Sequence, residues 1–152
     1  MEIKIEKMTL DDLENIKDIL ESEFDNFWNY NILKQELLNE NSYLFVVKQK
    51  SLQIENINTI IGFAGVQFIL DEANITNIVV KKDIRNQGIG NLLLNKLIDF
   101  SKQNNMSNIT LEVNENNQYA IKLYNKFNFN ITSIRKKYYN GTDNAIIMTL
   151  CF

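Results

Sequence analysis

The run Ile75-Thr76-Asn77-Ile78-Val79-Val80, followed closely by Ile89, Leu93, Leu97 and Phe100, constrains this chain more than any other feature. A dense β-branched segment reads as a strand buried on both faces, as in the interior of a partly parallel sheet. The following residues recur at helical spacing, and Leu94 and Ile98 widen their stripe into the apolar face of a helix about four turns long. Residues 109–113 form a second strand, and Tyr119, Ala120, Leu123, Tyr124 and Phe127 mark a second helix. Strand, helix, strand, helix in that order is a parallel crossover unit.

The flanking segments complete the pattern. Ile3 and Ile5 alternate with charge and predict a short first strand. Thr9 precedes an acidic turn (Asp11, Asp12), and Leu13, Ile16, Ile19 and Leu20 predict a helix reaching about Phe24. A shorter helix holds Leu33, Leu37 and Leu38, opened by Asn29 or Asn31. Residues 43–47 and 60–70 read as strands. Residues 131–138 and 145–150 close the chain as a hairpin around Asn140-Gly141. The expected fold is mixed α/β, a sheet of about seven strands with about four helices. With no linker, repeat or compositional break, residues 1–152 are expected to form one domain.

Composition narrows the chemistry. The chain has no histidine, so it can build no Ser-His-Asp triad, Cys-His pair or His-ligated metal site. A single cysteine, Cys151, can neither form an intramolecular disulfide nor a thiolate metal cage. Catalysis must come from carboxylates, tyrosine, lysine and backbone amides, and no metal is expected. The net charge of −3 argues against a general nucleic-acid binder. Residues 1–10 lack the apolar core of a secretory signal, and no apolar run approaches the ~18 residues of a membrane span. A soluble, cytoplasmic protein is expected.

Between the β-branched strand and the long helix stands Arg85-Asn86-Gln87-Gly88-Ile89-Gly90. A glycine-rich turn feeding a helix exposes free backbone N–H groups at the positive end of the helix dipole, which makes an anion site. Lys81, Lys82 and Arg85 give this stretch a positive balance within an acidic chain, suited to a pyrophosphate. A nucleotide P-loop would need Gly-Lys-Ser/Thr, but Asn91-Leu92 follows Gly90; a dinucleotide fingerprint would need a third glycine where Leu93 stands. By spacing alone, glycines that merely turn the chain remain an equal reading.

Arg85-x-x-Gly88-x-Gly90 after a β-branched strand resembles the acyl-CoA signature of the GNAT superfamily of N-acetyltransferases. LDEANITNIVV, LEVNENNQYAIKLYNKFNF and IRKKYYNGTDNAIIM resemble, within it, the bacterial enzymes that acetylate the N-terminal alanine of a small-subunit ribosomal protein. The similarity covers nearly the whole chain. It implies a single-domain GNAT fold, acetyl-CoA as cosubstrate and a protein N-terminus as acceptor, with no nucleic acid or membrane partner. It implies that Ile78, Val79 and Val80 form a bulged strand offering backbone groups to the pantetheine arm, with an amide near Val79 as oxyanion donor. Asn86, Gln87, Gly88, Ile89, Gly90 and Asn91 would cradle the pyrophosphate. Asn86 stands where the family often has arginine. Asn117 matches a cofactor-contacting residue and reads equally as a helix cap.

The resemblance places the general base on Glu112, whose strand alternation sets it opposite Ile109, Leu111 and Val113. On residues alone an exposed strand-face glutamate is the better reading; burial, without water or a partner, would raise its pKa toward useful values. An α-amine, with pKa ~8, demands little assistance from such a base. Tyr124 matches the family's proton donor to the departing thiolate, and by pattern alone is a core aromatic. Tyr138 and Tyr139 would wall the acceptor groove. Trp28, next to Phe27, resembles the family's aromatic between the first two helices and reads equally as a core anchor. Two further readings stay open: the same fold acting on a small amine such as a polyamine, amino sugar or amino acid, and a non-catalytic acyl-CoA binder.

Overall fold

A computed structural model describes residues 2–25, 27–55 and 57–152. β1 (Ile3–Lys7) leads into α1 (Leu10–Ile16), where Thr9 closes a capping box with Asp12. Thr9 Oγ1 accepts the Asp12 N–H at 3.1 Å, and Asp12 Oδ2 accepts the Thr9 N–H at 2.9 Å. The helical path reaches Phe24 as the spacing predicts, but its winding changes, through a 3₁₀ turn (Lys17–Ile19) and a π turn (Leu20–Phe24). This keeps Ile16, Leu20 and Phe24 all buried, and Asp25, in extended conformation, ends the helix. Asn29 caps α2 (Tyr30–Leu38) by accepting the Ile32 N–H at 3.0 Å.

Then come β2 (Ser42–Lys50), β3 (Asn58–Ile69), β4 (Glu72–Val80), α3 (Ile89–Gln103), β5 (Asn108–Asn114), α4 (Gln118–Lys126), β6 (Asn130–Tyr139) and β7 (Asp143–Cys151). Seven strands form one mixed sheet in the order β1-β2-β3-β4-β5-β7-β6. β4 and β5 pair in parallel through Glu72↔Asn108, Ala73↔Ile109 and Asn74↔Thr110, whereas β1–β2, β2–β3, β5–β7 and β6–β7 are antiparallel. The mixed α/β expectation holds.

The chain divides into two compact units, Met1–Gln67 with Thr76–Leu97, and Phe68–Ile75 with Ile98–Phe152. In the first, Leu13, Ile16, Leu20, Phe24, Leu33, Val46, Phe63 and Val79 form a buried apolar cluster, the Phe24 and Phe63 rings 5.6 Å apart. In the second, Ile109, Leu111 and Val113 of β5 are buried, with Met148 of β7 opposite Leu111. Asn140 (φ 52°) and Gly141 (φ 71°) make the left-handed turn that joins β6 and β7, with Thr142 N–H bonded to Tyr139 O at 3.1 Å.

One expectation needs correction. β4 is not buried throughout on both faces: Ala73, Asn77 and Val79 are buried, but Ile78 and Val80 are only half-buried. Of that stretch Val79 enters the apolar cluster.

Candidate active site

Asn86 and Gly88 are left-handed, at φ 65° and 85°. Left-handed residues alternating with ordinary ones turn successive N–H groups toward a common concavity, an anion nest. Asparagine tolerates this conformation better than a long side chain does, which gives Asn86 a structural role where the family often has arginine. At Gly88 an added Cβ would meet nothing within 4 Å, so that glycine serves the backbone conformation and not a close contact. The first bond of α3 runs from Leu92 N–H to Gly88 O (3.2 Å), so the helix makes no use of the N–H groups of Ile89, Gly90 and Asn91.

The nearby cations are less available than the sequence suggests. Arg85 turns back onto the chain: its Nε donates to Val80 O (3.3 Å) and its Nη2 to Phe24 O (3.1 Å). It ties the end of the π turn to the loop. Lys81 Nζ lies 3.8 Å from Glu23 and 4.0 Å from Asp83. Arg85 and Lys81 thus meet the chain's own oxygens, while Lys82 is exposed.

Gly62 of β3 brings that strand against the end of β4. A Cβ there would stand 3.1 Å from Val79 O and 3.2 Å from both Ile89 Cγ2 and Leu93 Cδ1. Beyond this contact β3 and β4 stay joined, with Lys81 N–H bonded to Ile61 O at 2.9 Å. The signal was a pair of glycines inside an apolar strand, Gly62 and Gly65, which marks a close backbone approach.

In the second unit, β5 alternates as expected: Ile109, Leu111 and Val113 are buried and Glu112 is exposed. Glu112 is not the desolvated carboxylate that burial would make. Its side chain keeps 34% of its accessibility, and Arg135 Nη2 lies 3.3 Å from its Oε1. Arg135 also lies over the Tyr138 ring, 5.4 Å from its centroid, and Tyr138 meets Tyr139 edge-on at 5.2 Å. Burial, with the negative charge of Glu112 and the neighbouring Tyr138, pushes the Tyr139 phenol up. Glu112, Arg135, Tyr138 and Tyr139 thus form one polar and aromatic cluster. Sequence reasoning missed Arg135, because the β6–β7 register shifts between Arg135 and Tyr139, where Lys137 is left-handed (φ 53°).

Tyr124 lies on α4, half-buried, its ring 5.8 Å from that of Phe129. Burial pushes its phenol up to about 12, so it stays protonated throughout the neutral range. Its hydroxyl makes no hydrogen bond among the described residues, although buried tyrosines usually satisfy theirs. Asn117 caps α4, its Oδ1 accepting the Ala120 N–H at 3.1 Å, which leaves its amide nitrogen for any further contact. In the first unit, Trp28 is half-buried and packs against the apolar cluster, while Phe27, edge-on to it at 5.3 Å, is 67% exposed. Trp28 is an anchor and Phe27 the more accessible ring.

The loop amides, the open Gly88 turn and the half-buried end of β4 fit a carrier with a diphosphate and an extended amide-bearing arm. Comparison with known proteins identifies the family. The profile described as the Acetyltransferase (GNAT) family matches residues 10–129. A Bacillus subtilis protein provisionally named a ribosomal protein bS18-alanine N-acetyltransferase is 34% identical over 95% of this chain and 92% of its own. The Haemophilus influenzae protein named ribosomal protein bS18-alanine N-acetyltransferase is 46% identical over 62% of this chain and 66% of its own. The crystal structure of the Escherichia coli ribosomal-protein-S18-alanine N-acetyltransferase superposes with a TM-score of 0.85 at 32% identity, covering 99% of this chain and 94% of that one. Arabidopsis thaliana NAA60 in complex with acetyl-CoA, at 17% identity, shares the fold with a TM-score of 0.85 over 99% of both chains. This chain belongs to the GNAT acetyltransferase family.

Proposed function

We propose that this chain transfers the acetyl group of acetyl-CoA to the N-terminal amine of a ribosomal protein, an N-terminal alanine of the bS18 type. One observation carries the reading: relatives 34–46% identical bear that activity in their names, and one of them aligns over 95% of this chain. The same profile match, running from residue 10 to 129 through both compact units, supports reading residues 1–152 as one catalytic domain. A cytoplasmic setting, where ribosomal proteins are made, belongs to this reading.

Acetyl-CoA supplies an activated thioester; the chain's own residues supply position and proton transfer. The N–H groups from Asn86 to Asn91 hold the diphosphate, assisted by the dipole of α3. Ile78, Val79 and Val80 present backbone groups to the pantetheine arm, and an amide near Val79 donates to the carbonyl oxygen as charge gathers there. Glu112, open to water, receives the proton shed by the acceptor ammonium, directly or through a water. Tyr124, held protonated by burial, donates its hydroxyl proton to the departing sulfur. Tyr138 and Tyr139 line the path of the acceptor peptide, and Arg135 holds the Glu112 carboxylate in place. The amine attacks the thioester carbon directly, the C–N bond forms as the C–S bond breaks, and the acetyl group passes from sulfur to nitrogen with no acyl group on the protein.

The test incubates the protein and acetyl-CoA with peptides beginning in Ala, Ser or Thr, with a bS18 N-terminal peptide, and with a panel of small amines. Mass spectrometry then locates the added acetyl group. Acetylation of the bS18 peptide on its α-amine is expected. Turnover of a small amine with none of the peptides overturns the acceptor, and coenzyme A binding with no transfer to any amine overturns the enzyme.

A further inference from the structure

Among the residues neither the reaction nor the core explains, Glu36 stands out. It lies on α2 three residues after buried Leu33, on the face that packs inward. Its Oε1 accepts a hydrogen bond from the Thr76 hydroxyl, and its Oε2 accepts one from Asn77 Nδ2 at 3.2 Å. That amide also lies 3.2 Å from Thr76 Oγ1. Burial pushes the Glu36 carboxyl up, against the pull of these two donors.

Two features mark this cluster as more than packing. Thr76 and Asn77 are consecutive in β4, and consecutive side chains of a regular strand point to opposite faces. Both reach one carboxylate, so the alternation is interrupted there, as at a β-bulge. The cluster also sits badly as a stabilising device. Asn77 is 5% exposed and its Oδ1 has no partner among the described residues, a cost that an apolar trio would avoid. β3 is hollowed to admit it: a Cβ on Gly65 would stand 2.6 Å from Thr76 Oγ1 and 2.7 Å from Glu36 Oε1.

Immediately after the interruption come Ile78, Val79 and Val80. They are fixed at the far end by the Lys81 N–H bond to Ile61 O (2.9 Å) and from below by the close approach of Gly62 to Val79 O. We infer that Glu36 is a positioning residue: through Thr76 and Asn77 its carboxylate sets the break in β4 that aims the backbone of Ile78–Val80. The inference rests on the acetyl-transfer reading for its consequence, since the aimed groups include the proposed oxyanion donor. The sequence hid it, because an acid on a Leu33/Leu37 stripe is the ordinary edge of an amphipathic helix.

Three variants and two readouts test it. Glu36→Leu keeps the volume but removes both acceptors; Thr76→Val removes one hydroxyl; Glu36→Gln keeps an acceptor for Thr76 and, with the Asn77 amide turned over, a bond to Asn77. The first readout is kcat with KM for acetyl-CoA and peptide. The second is amide hydrogen exchange over residues 75–81, with β5 as internal reference. Glu36→Leu is expected to lower kcat about tenfold or more, as misaiming a preorganised donor does, with both KM values within about twofold. It should speed exchange over residues 75–81 and leave β5 unchanged. Thr76→Val is expected to do the same more weakly, and Glu36→Gln to recover most of the loss. Wild-type kcat and exchange in Glu36→Leu overturn the inference while leaving the enzyme reading intact. A Glu36→Gln variant as slow as Glu36→Leu also overturns it, because charge and not bonding geometry would then be at work. Should Glu36→Leu fail to fold, Thr76→Val decides alone, and unchanged kcat and exchange overturn the inference. A wild-type protein that transfers no acetyl group sinks the enzyme reading; the exchange readout still decides whether Glu36 sets the strand.

Discussion

In the proposed reaction the two compact units act by different physical means. The first offers backbone: a left-handed loop at Asn86 and Gly88, the open first turn of α3, and the end of β4 under Gly62. Two of its charged side chains meet the chain's own groups, Arg85 at carbonyls and Glu36 at Thr76 and Asn77. The second offers side chains: Glu112 with Arg135, the Tyr138–Tyr139 pair, and the Tyr124 hydroxyl, which makes no hydrogen bond among the described residues. A main-chain site tolerates substitution as long as the backbone path survives, whereas a side-chain site is lost with a single atom. The two units should therefore respond to mutation in opposite ways.

The sharpest contrast comes from conservative changes in the second unit. Glu112→Gln and Tyr124→Phe are expected each to lower kcat about 100-fold, the usual range for removing an acid or base, with coenzyme A affinity within about twofold of wild type. Isothermal titration and initial rates separate the two quantities. Because burial raises Tyr124 to about 12, its neutral form persists across ordinary assay conditions, so kcat should show no decline due to this group below about pH 10. Wild-type turnover in Tyr124→Phe would make it a packing residue.

Next in size are the changes that bend the backbone of the first unit. Gly88→Ala meets no atom, so its whole effect is the strain of a left-handed alanine, about 1–2 kcal/mol. KM for acetyl-CoA should rise about five- to thirtyfold and kcat should change little; an unchanged KM would separate this loop from the diphosphate. Arg85→Gln takes the opposite form. A phosphate ligand would weaken coenzyme A binding and flatten its salt dependence, but a clamp on Phe24 O and Val80 O should cost about 1 kcal/mol of stability instead. For a domain of this size that is a drop of about 2–4 °C in Tm. Loss of affinity without loss of stability would return Arg85 to the phosphates.

What the sequence could disclose follows the same division. Periodicity located each strand and helix, because burial of one face is a local pattern repeated over many residues. The alternation that exposes Glu112, the loop glycines and the Asn140-Gly141 turn were legible for that reason. The winding change over Lys17–Phe24 was not, since it answers to which side chains the core must receive. Nor were the partners of Arg85, Glu112 and Glu36, each of which comes from a distant segment: Phe24, Arg135, and Thr76 with Asn77. A charged residue advertises its charge in a sequence but not the group that will claim it. The clearest case was Arg85, which the motif placed at the phosphates and the structure turns toward carbonyls.

The smallest expected effect tests that last point on stability alone. Burial raises the folded-state pKa of Glu36 above its unfolded value. Between those two values the folded chain binds more protons than the unfolded one, so stability falls as pH rises through that window. Glu36→Gln carries no such dependence. Whatever constant offset the amide introduces by repacking, the Tm of Glu36→Gln minus that of wild type should grow as pH is raised through the ordinary glutamate range, then level off above the folded pKa. If that difference stays flat, Glu36 is not held in a desolvated setting, and the pinned strand of the first unit loses its electrostatic signature.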